Sequence, residues 1–235
     1  MNHLTPILLK KFNLDTLYSQ SFLPKICIIG GPNTGKTQLI YNIIQKLDEL
    51  TNISNGIIIT PTDTHDKRYQ NKFRFSYVHE RFDMEMIKNT LKLKNENKDS
   101  EYLFVMDNCE AAKSKWLKDN KMKSILTSKN INFILTMQYA MYFEYRQFFD
   151  YVFILEECIQ ISRKRIYESY FKDIFQTFQL FEDIIIPNTQ DYKCIVLDNK
   201  NKLIYYYKAE EINTPLQHLD TFDIIKYYKS YTIIL

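Results

Sequence analysis

Glycine is scarce in this chain, with four residues among 235. Three of them, Gly30, Gly31 and Gly35, fall within six positions. Glycine is favoured where the backbone must turn sharply or come close to a ligand. A chain that otherwise avoids glycine has concentrated it in one short segment, and this concentration predicts a functional loop.

Long apolar runs are also missing. No run of about eighteen apolar residues and no signal-peptide pattern is present, which argues against a membrane-spanning segment and against secretion. The four cysteines form no C-x-x-C pair and do not cluster with the four histidines, so neither a zinc site nor a disulfide framework is indicated. We expect a soluble protein whose cysteines are small buried hydrophobic residues in a reducing compartment.

Charge is nearly balanced. The net charge is +3 and the sequence pI is about 8.4, with 45% apolar and 25% charged residues. This composition is typical of a globular protein, and the mild basic excess permits a nucleic-acid partner without demanding one. The stretch 113–129 predicts an amphipathic helix with a lysine face, which is either a solvated surface or a DNA contact.

The glycine-rich segment spells G-x-x-x-x-G-K-T directly after an apolar stretch. In such a loop, backbone N–H groups and the positive end of the following helix bind polyphosphate. Lys36 is expected to reach the β and γ phosphates of ATP, and Thr37 to offer its hydroxyl to Mg²⁺. The predicted nucleotide-binding residues are Gly30, Gly31, Pro32, Asn33, Thr34, Gly35, Lys36, Thr37 and Gln38.

Short apolar segments alternate with helical periodicity along the chain. Strands are predicted at 25–29, 57–60, 73–79, 102–106, 131–136 and 151–155, followed by helices at 161–175 and 178–185 and by a hairpin at 192–197 and 203–207. The predicted fold class is α/β, a three-layer P-loop NTPase with a mostly parallel central sheet flanked by helices and a C-terminal β-hairpin. We divide the chain into a peripheral segment (1–24), an ATPase domain (25–210) and a C-terminal tail (211–235).

Hydrolysis needs an acid on the metal and a group that positions water. Asp107 ends a buried strand, at the edge of the sheet where ligands of α/β folds bind, and is the predicted metal partner. Asn108 follows where many ATP-driven motors place a general base. Glu110 is a candidate base, although an exposed acid at the start of a helix is the simpler interpretation. Gln138 follows the next strand and is predicted to sense the γ-phosphate.

Arg146 is a candidate arginine finger for the nucleotide of a neighbouring subunit. Arg163 and Arg165 are further candidates. For each of the three, a surface arginine paired with a local acid is an equally good interpretation.

Together these motifs resemble the packaging ATPases of large eukaryotic DNA viruses, poxvirus-like and giant-virus members included, within the FtsK/HerA superfamily. The resemblance covers roughly residues 24–209. It depends on the sequences Gly-Pro-Asn-Thr-Gly-Lys-Thr at 31–37, Met-Asp-Asn-Cys at 106–109, Leu-Thr-Met-Gln-Tyr at 135–139, Asp-Tyr-Val-Phe-Ile-Leu at 150–155 and Arg-Lys-Arg-Ile-Tyr-Glu at 163–168.

The resemblance implies a RecA-like (ASCE) motor that hydrolyses Mg-ATP and moves double-stranded DNA into a preformed capsid. It further implies a homo-oligomeric ring, pentamer or hexamer, capsid proteins as partners, and a location in the viral factory of the host cytoplasm and in the virion. In this family the acid matching Asp107 is similarly followed by Asn, so Asn108 is compatible with turnover. The family's Pro-Pro turn is replaced here by Phe143-Glu144, a departure that affects the loop before Arg146.

Two other functions fit parts of the pattern. A nucleotide-binding assembly factor without turnover would explain the absence of Glu at position 108. A small-molecule kinase would use the same phosphate loop, but we find no segment typical of an arginine-bearing lid. ATP turnover with and without duplex DNA would separate the motor from the assembly factor, and phosphate transfer to a small acceptor would indicate the kinase.

Overall fold

A single β-sheet forms the centre of the protein. The structure, a computed structural model, describes residues 9–18, 22–51, 53, 55–61, 69, 76–79, 83–96, 100–109, 120–140 and 144–211. The strands within these ranges are β1 (Lys10–Lys11), β2 (Lys25–Ile29), β3 (Asn55–Ile59), β4 (Ser76–His79), β5 (Tyr102–Met106), β6 (Ile131–Met137), β7 (Tyr151–Ile154), β8 (Lys193–Asp198) and β9 (Leu203–Lys208). Their order across the sheet is β1-β9-β8-β7-β2-β6-β5-β3-β4.

The middle of the sheet is parallel. From β7 through β2, β6, β5 and β3 to β4, every neighbouring pair runs in the same direction. The strands β8 and β9 form an antiparallel hairpin, and β8 pairs antiparallel with β7. The predicted fold class is confirmed, including the mostly parallel sheet and the C-terminal hairpin.

Helices cover both faces of the sheet. Within the described ranges the α-helices are α1 (Lys36–Leu50), α2 (Met84–Glu96), α3 (Asn120–Thr127), α4 (Gln160–Ile166) and α5 (Phe178–Asn188). Successive strand residues point to opposite faces, so Ile28 packs in the cluster that contains α1, while Cys27 packs in the cluster that contains α3 and α5. None of the helices in the described ranges combines the length and apolarity that a bilayer crossing requires.

Most predicted elements are present, with shifted ends. The helix predicted at 161–175 is shorter, because α4 ends at Ile166 and a π-helical turn, Tyr167–Phe171, follows. Within the predicted lysine-bearing helix at 113–129, the structure describes α3, and 110–119 lie outside the described residues. Asp83 accepts a hydrogen bond from the Glu85 N–H at 3.0 Å, as expected for a residue that caps α2.

The described residues of the leading segment contribute to the sheet and to the core. We expected residues 1–24 to be peripheral, yet β1 extends the sheet beside β9. Phe12, Leu14 and Leu17 are buried in the same cluster as α1. Their apolar side chains gain more by covering the sheet than by lying on the surface. The domain boundaries themselves stay a prediction, and the tail beyond Glu211 lies outside the described residues.

Three of the four cysteines are buried. Cys27, Cys109 and Cys194 are buried free thiols, and Cys158 is an exposed free thiol. Burial raises the pKa of Cys27 and of Cys194, because desolvation disfavours the thiolate. The two thiols therefore stay protonated and act as small core residues.

Arg163 has a structural role. Its Nε donates to Glu182 Oε1 at 2.7 Å, and both side chains are largely buried. Its Nη1 donates to the carbonyl oxygens of Glu157 and Cys158 at 3.0 and 2.8 Å. Arg163 thus ties α4 to α5 and to the loop after β7. Of the two interpretations of this residue, an arginine paired with a local acid is the one observed.

We therefore expect Arg163→Ala to lower the free energy of unfolding by about 3 kcal/mol, because Glu182 would be left buried without its partner. The exposed neighbour Arg165 is the matched control, and Arg165→Ala should change stability by less than about 0.5 kcal/mol. Urea denaturation of both variants measures this. Equal stability of the two variants would contradict a structural role for Arg163.

Candidate nucleotide site at the carboxyl ends of the strands

The glycine-rich loop connects β2 to α1. A β-carbon built on Gly30 would lie 2.7 Å from Thr34 Oγ1 and 2.8 Å from Leu155 Cβ, closer than non-bonded atoms approach. Gly35 has a φ of 100°, in the left-handed region that favours glycine. The backbone N–H of Gly30 donates to Met137 O at 3.0 Å, which ties the start of the loop to the end of β6. Both glycines are therefore required by the shape of the loop.

Lys36 lies against this loop. Its Nζ donates to the carbonyl oxygens of Gly30 and Gly31, at 2.7 Å each. The lysine follows Gly35, where the chain turns from the loop into α1. Its ammonium group therefore adds positive charge at the site where the loop amides and the helix end converge.

The first turn of α1 carries the features of an anion site. The helix has fifteen residues, and its N-cap, Gly35, has no side chain with which to bond the first amides. No acidic residue lies in the first turn. The positive end of the helix dipole is therefore not neutralised by a local acid, and it favours a negatively charged ligand.

Asp107 lies directly after β5 and is buried, with 4% of its surface exposed. Its Oδ1 accepts a hydrogen bond from Thr136 Oγ1 at 2.7 Å, and its Oδ2 accepts one from the Tyr69 hydroxyl at 2.8 Å. Two neutral donors on different elements thus hold the carboxylate in one orientation.

Asn108 and Gln138 form the link between β5 and β6. The N–H of Asn108 donates to Thr136 Oγ1 at 2.9 Å, and Gln138 Nε2 donates to Asn108 Oδ1 at 3.0 Å. Asn108 has a φ of 57°, a left-handed conformation that Asn adopts more readily than most residues. Because β6 lies between β2 and β5, Gln138 follows the strand between the phosphate loop and Asp107.

Of the predicted catalytic residues that the structure describes, Arg146 is not brought into this cluster. Glu110 lies outside the described residues, so its role as a base stays a prediction. Arg146 belongs to a 3₁₀ helix, Glu144–Phe148, shortly before β7 begins. Because β7 is parallel to β2, this helix lies toward the edge of the sheet opposite the phosphate loop. Arg146 as a finger acting on a neighbouring subunit also stays a prediction.

Gln38, a predicted nucleotide-binding residue, uses its side chain elsewhere. Its Nε2 donates to Glu210 O at 2.6 Å, and the Asn42 side chain bonds both Glu210 O and Glu210 N at 2.7 Å. These contacts attach the chain after β9 to α1. Any contact of Gln38 with nucleotide would therefore come from its backbone in the first turn.

Sequence reasoning missed two residues that hold the site together. The sequence pattern predicts Thr136 only as a strand residue, although a polar residue in the otherwise apolar end of β6 is a usable signal. Tyr69 is buried and packs edge-on against Tyr41, with ring centroids 5.3 Å apart. No local pattern indicates that this tyrosine contacts Asp107, since the two are far apart in the sequence.

The donor set fits Mg²⁺. This ion prefers oxygen ligands and usually keeps several waters, with one or two carboxylates and substrate phosphates completing its coordination. The Thr37 hydroxyl at the start of α1 and the oriented carboxylate of Asp107 are oxygen donors of this kind. These two residues would hold the ion.

The fold and the loop define a P-loop NTPase. More narrowly, the chain belongs to the AAA domain family, whose sequence model matches residues 18–135, half of the chain. Two relatives are uncharacterized proteins of large DNA viruses. One, from Acanthamoeba polyphaga mimivirus, is 26% identical over 80% of this chain and 73% of its own length. Another, from Invertebrate iridescent virus 3, is 27% identical over 84% and 79%.

Solved structures share the fold. The genome packaging NTPase B204 of Sulfolobus turreted icosahedral virus 2, in complex with ATP-gammaS, matches with a TM-score of 0.60 at 13% identity, over 79% of this chain and 96% of that one. The conjugation coupling protein TcpA matches with a TM-score of 0.53 at 10% identity, over 88% and 70%. At these identities the likeness concerns the fold.

The Thr136 hydroxyl is the shared contact of this site, so we expect Thr136→Val to lower the free energy of unfolding by about 1–3 kcal/mol. The reason is that valine keeps the β-branched shape but leaves the Asp107 oxygen and the Asn108 N–H each short of a buried partner. Thr136→Ser retains the hydroxyl and is the control. Urea denaturation compares the two, and a valine variant at least as stable as the serine variant would contradict the described network.

Proposed function

We propose that this protein is an ATP-driven translocase that moves viral double-stranded DNA into a capsid. The observation that carries the proposal is the meeting of three features at one edge of the sheet. These are the glycine-rich loop with Lys36, the buried acid Asp107, and Gln138 directly after the strand between them. This combination suits a site that binds a triphosphate and responds to its hydrolysis.

Each residue has a separate task in this proposal. The loop amides and Lys36 bind the phosphates, while Thr37 and Asp107 would hold Mg²⁺, which would supply positive charge beside the phosphate oxygens. Thr136 and Tyr69 keep the carboxylate of Asp107 in position. Asn108, oriented by Thr136 and Gln138, would present a neutral amide to the nucleotide.

The hydrogen bond from Gln138 to Asn108 offers a route from the γ-phosphate to the sheet. An amide that donates to Asn108 in one state can donate to a phosphate oxygen in another, since it carries no charge that either arrangement must compensate. We assign Gln138 the role of sensor on this basis. We further propose that the attacking water is positioned by Glu110 or by a base supplied from elsewhere.

Support for DNA as the substrate comes from the relatives and the fold. Relatives occur in large DNA viruses, and the fold is shared with a viral genome packaging NTPase and a conjugation coupling protein. A motor that moves along any sequence must contact mainly phosphates. We place the protein in a homo-oligomeric ring that acts with capsid proteins, in the viral factory of the host cytoplasm.

A nucleotide-binding assembly factor without turnover is the second candidate. It is favoured by Asn108, because an amide at this position cannot take a proton from water as a glutamate would. Binding of ATP without release of phosphate, in the assembled protein with DNA present, would select this candidate over the motor. Phosphate transfer to a small acceptor would instead indicate a kinase.

We expect Lys36→Ala to abolish Mg²⁺-dependent ATP hydrolysis, because the γ-phosphate loses its cationic partner. Lys172, exposed and remote in sequence from the loop, provides the charge-matched control, and Lys172→Ala should retain turnover. Phosphate release is measured with and without duplex DNA, with the mass of the assembly recorded in parallel. Undiminished turnover in Lys36→Ala would reject the assignment of the site.

Duplex DNA should stimulate turnover of the unmodified protein, and its binding should weaken steeply as salt is added. The reason is that phosphate contacts release counterions, so affinity falls linearly with salt on logarithmic scales. Fluorescence anisotropy at several salt concentrations with two unrelated duplexes measures this. An affinity for DNA that does not change with salt concentration, or that depends on base sequence, would contradict translocation along DNA.

A further inference from the structure

A strained turn precedes β8. The N–H of Lys193 donates to Gln190 O at 3.1 Å, closing a four-residue turn. The two central residues, Asp191 and Tyr192, have φ values of 55° and 60°. Two consecutive residues with positive φ define a type I′ turn, in which Asn-Gly or Asp-Gly is strongly preferred. The first position therefore holds a suitable residue, whereas the second holds a tyrosine.

A tyrosine in this conformation is unfavourable by about 1–2 kcal/mol, because its β-carbon lies too close to the backbone carbonyl. Burial of the ring does not offset this strain, since 65% of the Tyr192 surface is exposed. Backbone strain of this kind concentrates at ligand-binding positions. Glycine at position 192 would relieve the backbone strain and stabilise the fold more than tyrosine does. The presence of the tyrosine ring therefore needs an explanation other than stability.

The ring lies beside the phosphate loop. A β-carbon built on Gly35 would be 3.4 Å from Tyr192 Cδ1 and 3.8 Å from Leu155 Cδ2. The sheet explains this proximity. Strand β8 is antiparallel to β7, and its early residue Ile195 pairs with Ile154 at the end of β7. The turn that begins β8 is therefore at the same edge of the sheet as the loop after β2.

Tyr192 and Asp107 lie on opposite sides of the phosphate loop. Across the sheet the order is β8-β7-β2-β6-β5, with the turn before β8 on one side and Asp107 after β5 on the other. A triphosphate bound with its terminal phosphate toward Asp107 thus extends its nucleoside toward the opposite side. There it meets an exposed aromatic ring.

From this arrangement we infer that the ring of Tyr192 is the platform on which the base of the nucleotide stacks. This inference rests on the proposed function, since it assumes that a nucleotide's phosphates occupy the loop. A single aromatic face binds any base through its π surface and reads no hydrogen-bonding edge. The site should accordingly accept ATP and GTP with similar affinity and hold the smaller pyrimidine nucleotides less tightly.

The test uses Tyr192→Gly and two ligands, ATP and inorganic tripolyphosphate, which lacks a base. The variant should bind ATP roughly five-fold or more weakly, the low end of the range for losing one base-stacking contact. Its affinity for tripolyphosphate should stay within about two-fold, and its melting temperature without ligand should be unchanged or higher because glycine relieves the turn. Calorimetric titration in Mg²⁺ and thermal denaturation measure these quantities.

Two variants serve as controls. Tyr192→Phe keeps an aromatic face and should retain ATP affinity. Asp191→Gly relaxes the neighbouring position but keeps the ring, and it too should retain ATP affinity. Loss of ATP affinity in Asp191→Gly, or equal weakening of ATP and tripolyphosphate in Tyr192→Gly, would mean that the turn shapes the loop, and would overturn the inference.

Lys36→Ala separates this inference from the proposed function. If Lys36→Ala abolishes binding of both ligands while Tyr192→Gly binds ATP as tightly as the unmodified protein, only the stacking role is refuted. If Lys36→Ala leaves ATP binding intact, the loop is not the phosphate site and both proposals fail.

Discussion

The parallel register of β2, β6 and β5 is the constraint on which the candidate site depends. Because these strands run in the same direction and are paired residue for residue, their carboxyl ends reach the same edge of the sheet. The phosphate loop, Gln138 and Asp107 each follow one of these ends. A slip of one strand by one residue would change the positions of these groups relative to one another. It would also turn the apolar side chains of that strand toward the other face of the sheet.

The hydroxyl of Thr136 fixes the orientation of the residues that the strand register brings together. Thr136 donates to Asp107 and accepts from the Asn108 N–H, so a single buried group orients the acid and the residue after it. Both donors to the carboxylate are neutral hydroxyl groups, so they orient Asp107 without adding a counter-charge. Lys36 and the start of α1, by contrast, present positive charge. The carboxylate of Asp107 is thus suited to the metal, and the positive groups are suited to the phosphates of the same ligand.

Local patterns predicted the elements well because their information is short-range. Five-residue apolar runs bounded by turn residues predicted the central strands, and the glycine spacing predicted the loop. The predictions were wrong where the stabilising contacts are with residues distant in the sequence. The α-helix expected at 161–175 ends at Ile166, and the π-helical turn that follows has Tyr170 and Phe171 in the core. In the segment 10–17, Phe12, Leu14 and Leu17 are buried against the sheet, while Lys10 and Lys11 stay exposed. No periodicity within those segments indicates which surface they cover.

The sequence alone determined the phosphate loop, the acid and the amide at the strand ends, and the α/β class. Each of these features depends on residue types and their spacing within about ten positions. Glycine, for example, is needed where no side chain fits. Only the tertiary structure decided that Tyr69 and Thr136 hold Asp107, that Arg163 is paired with Glu182, and that Tyr192 stands beside Gly35. Those contacts join residues that are far apart along the chain. The order and register of the strands bring these residues together, and both depend on interactions throughout the fold.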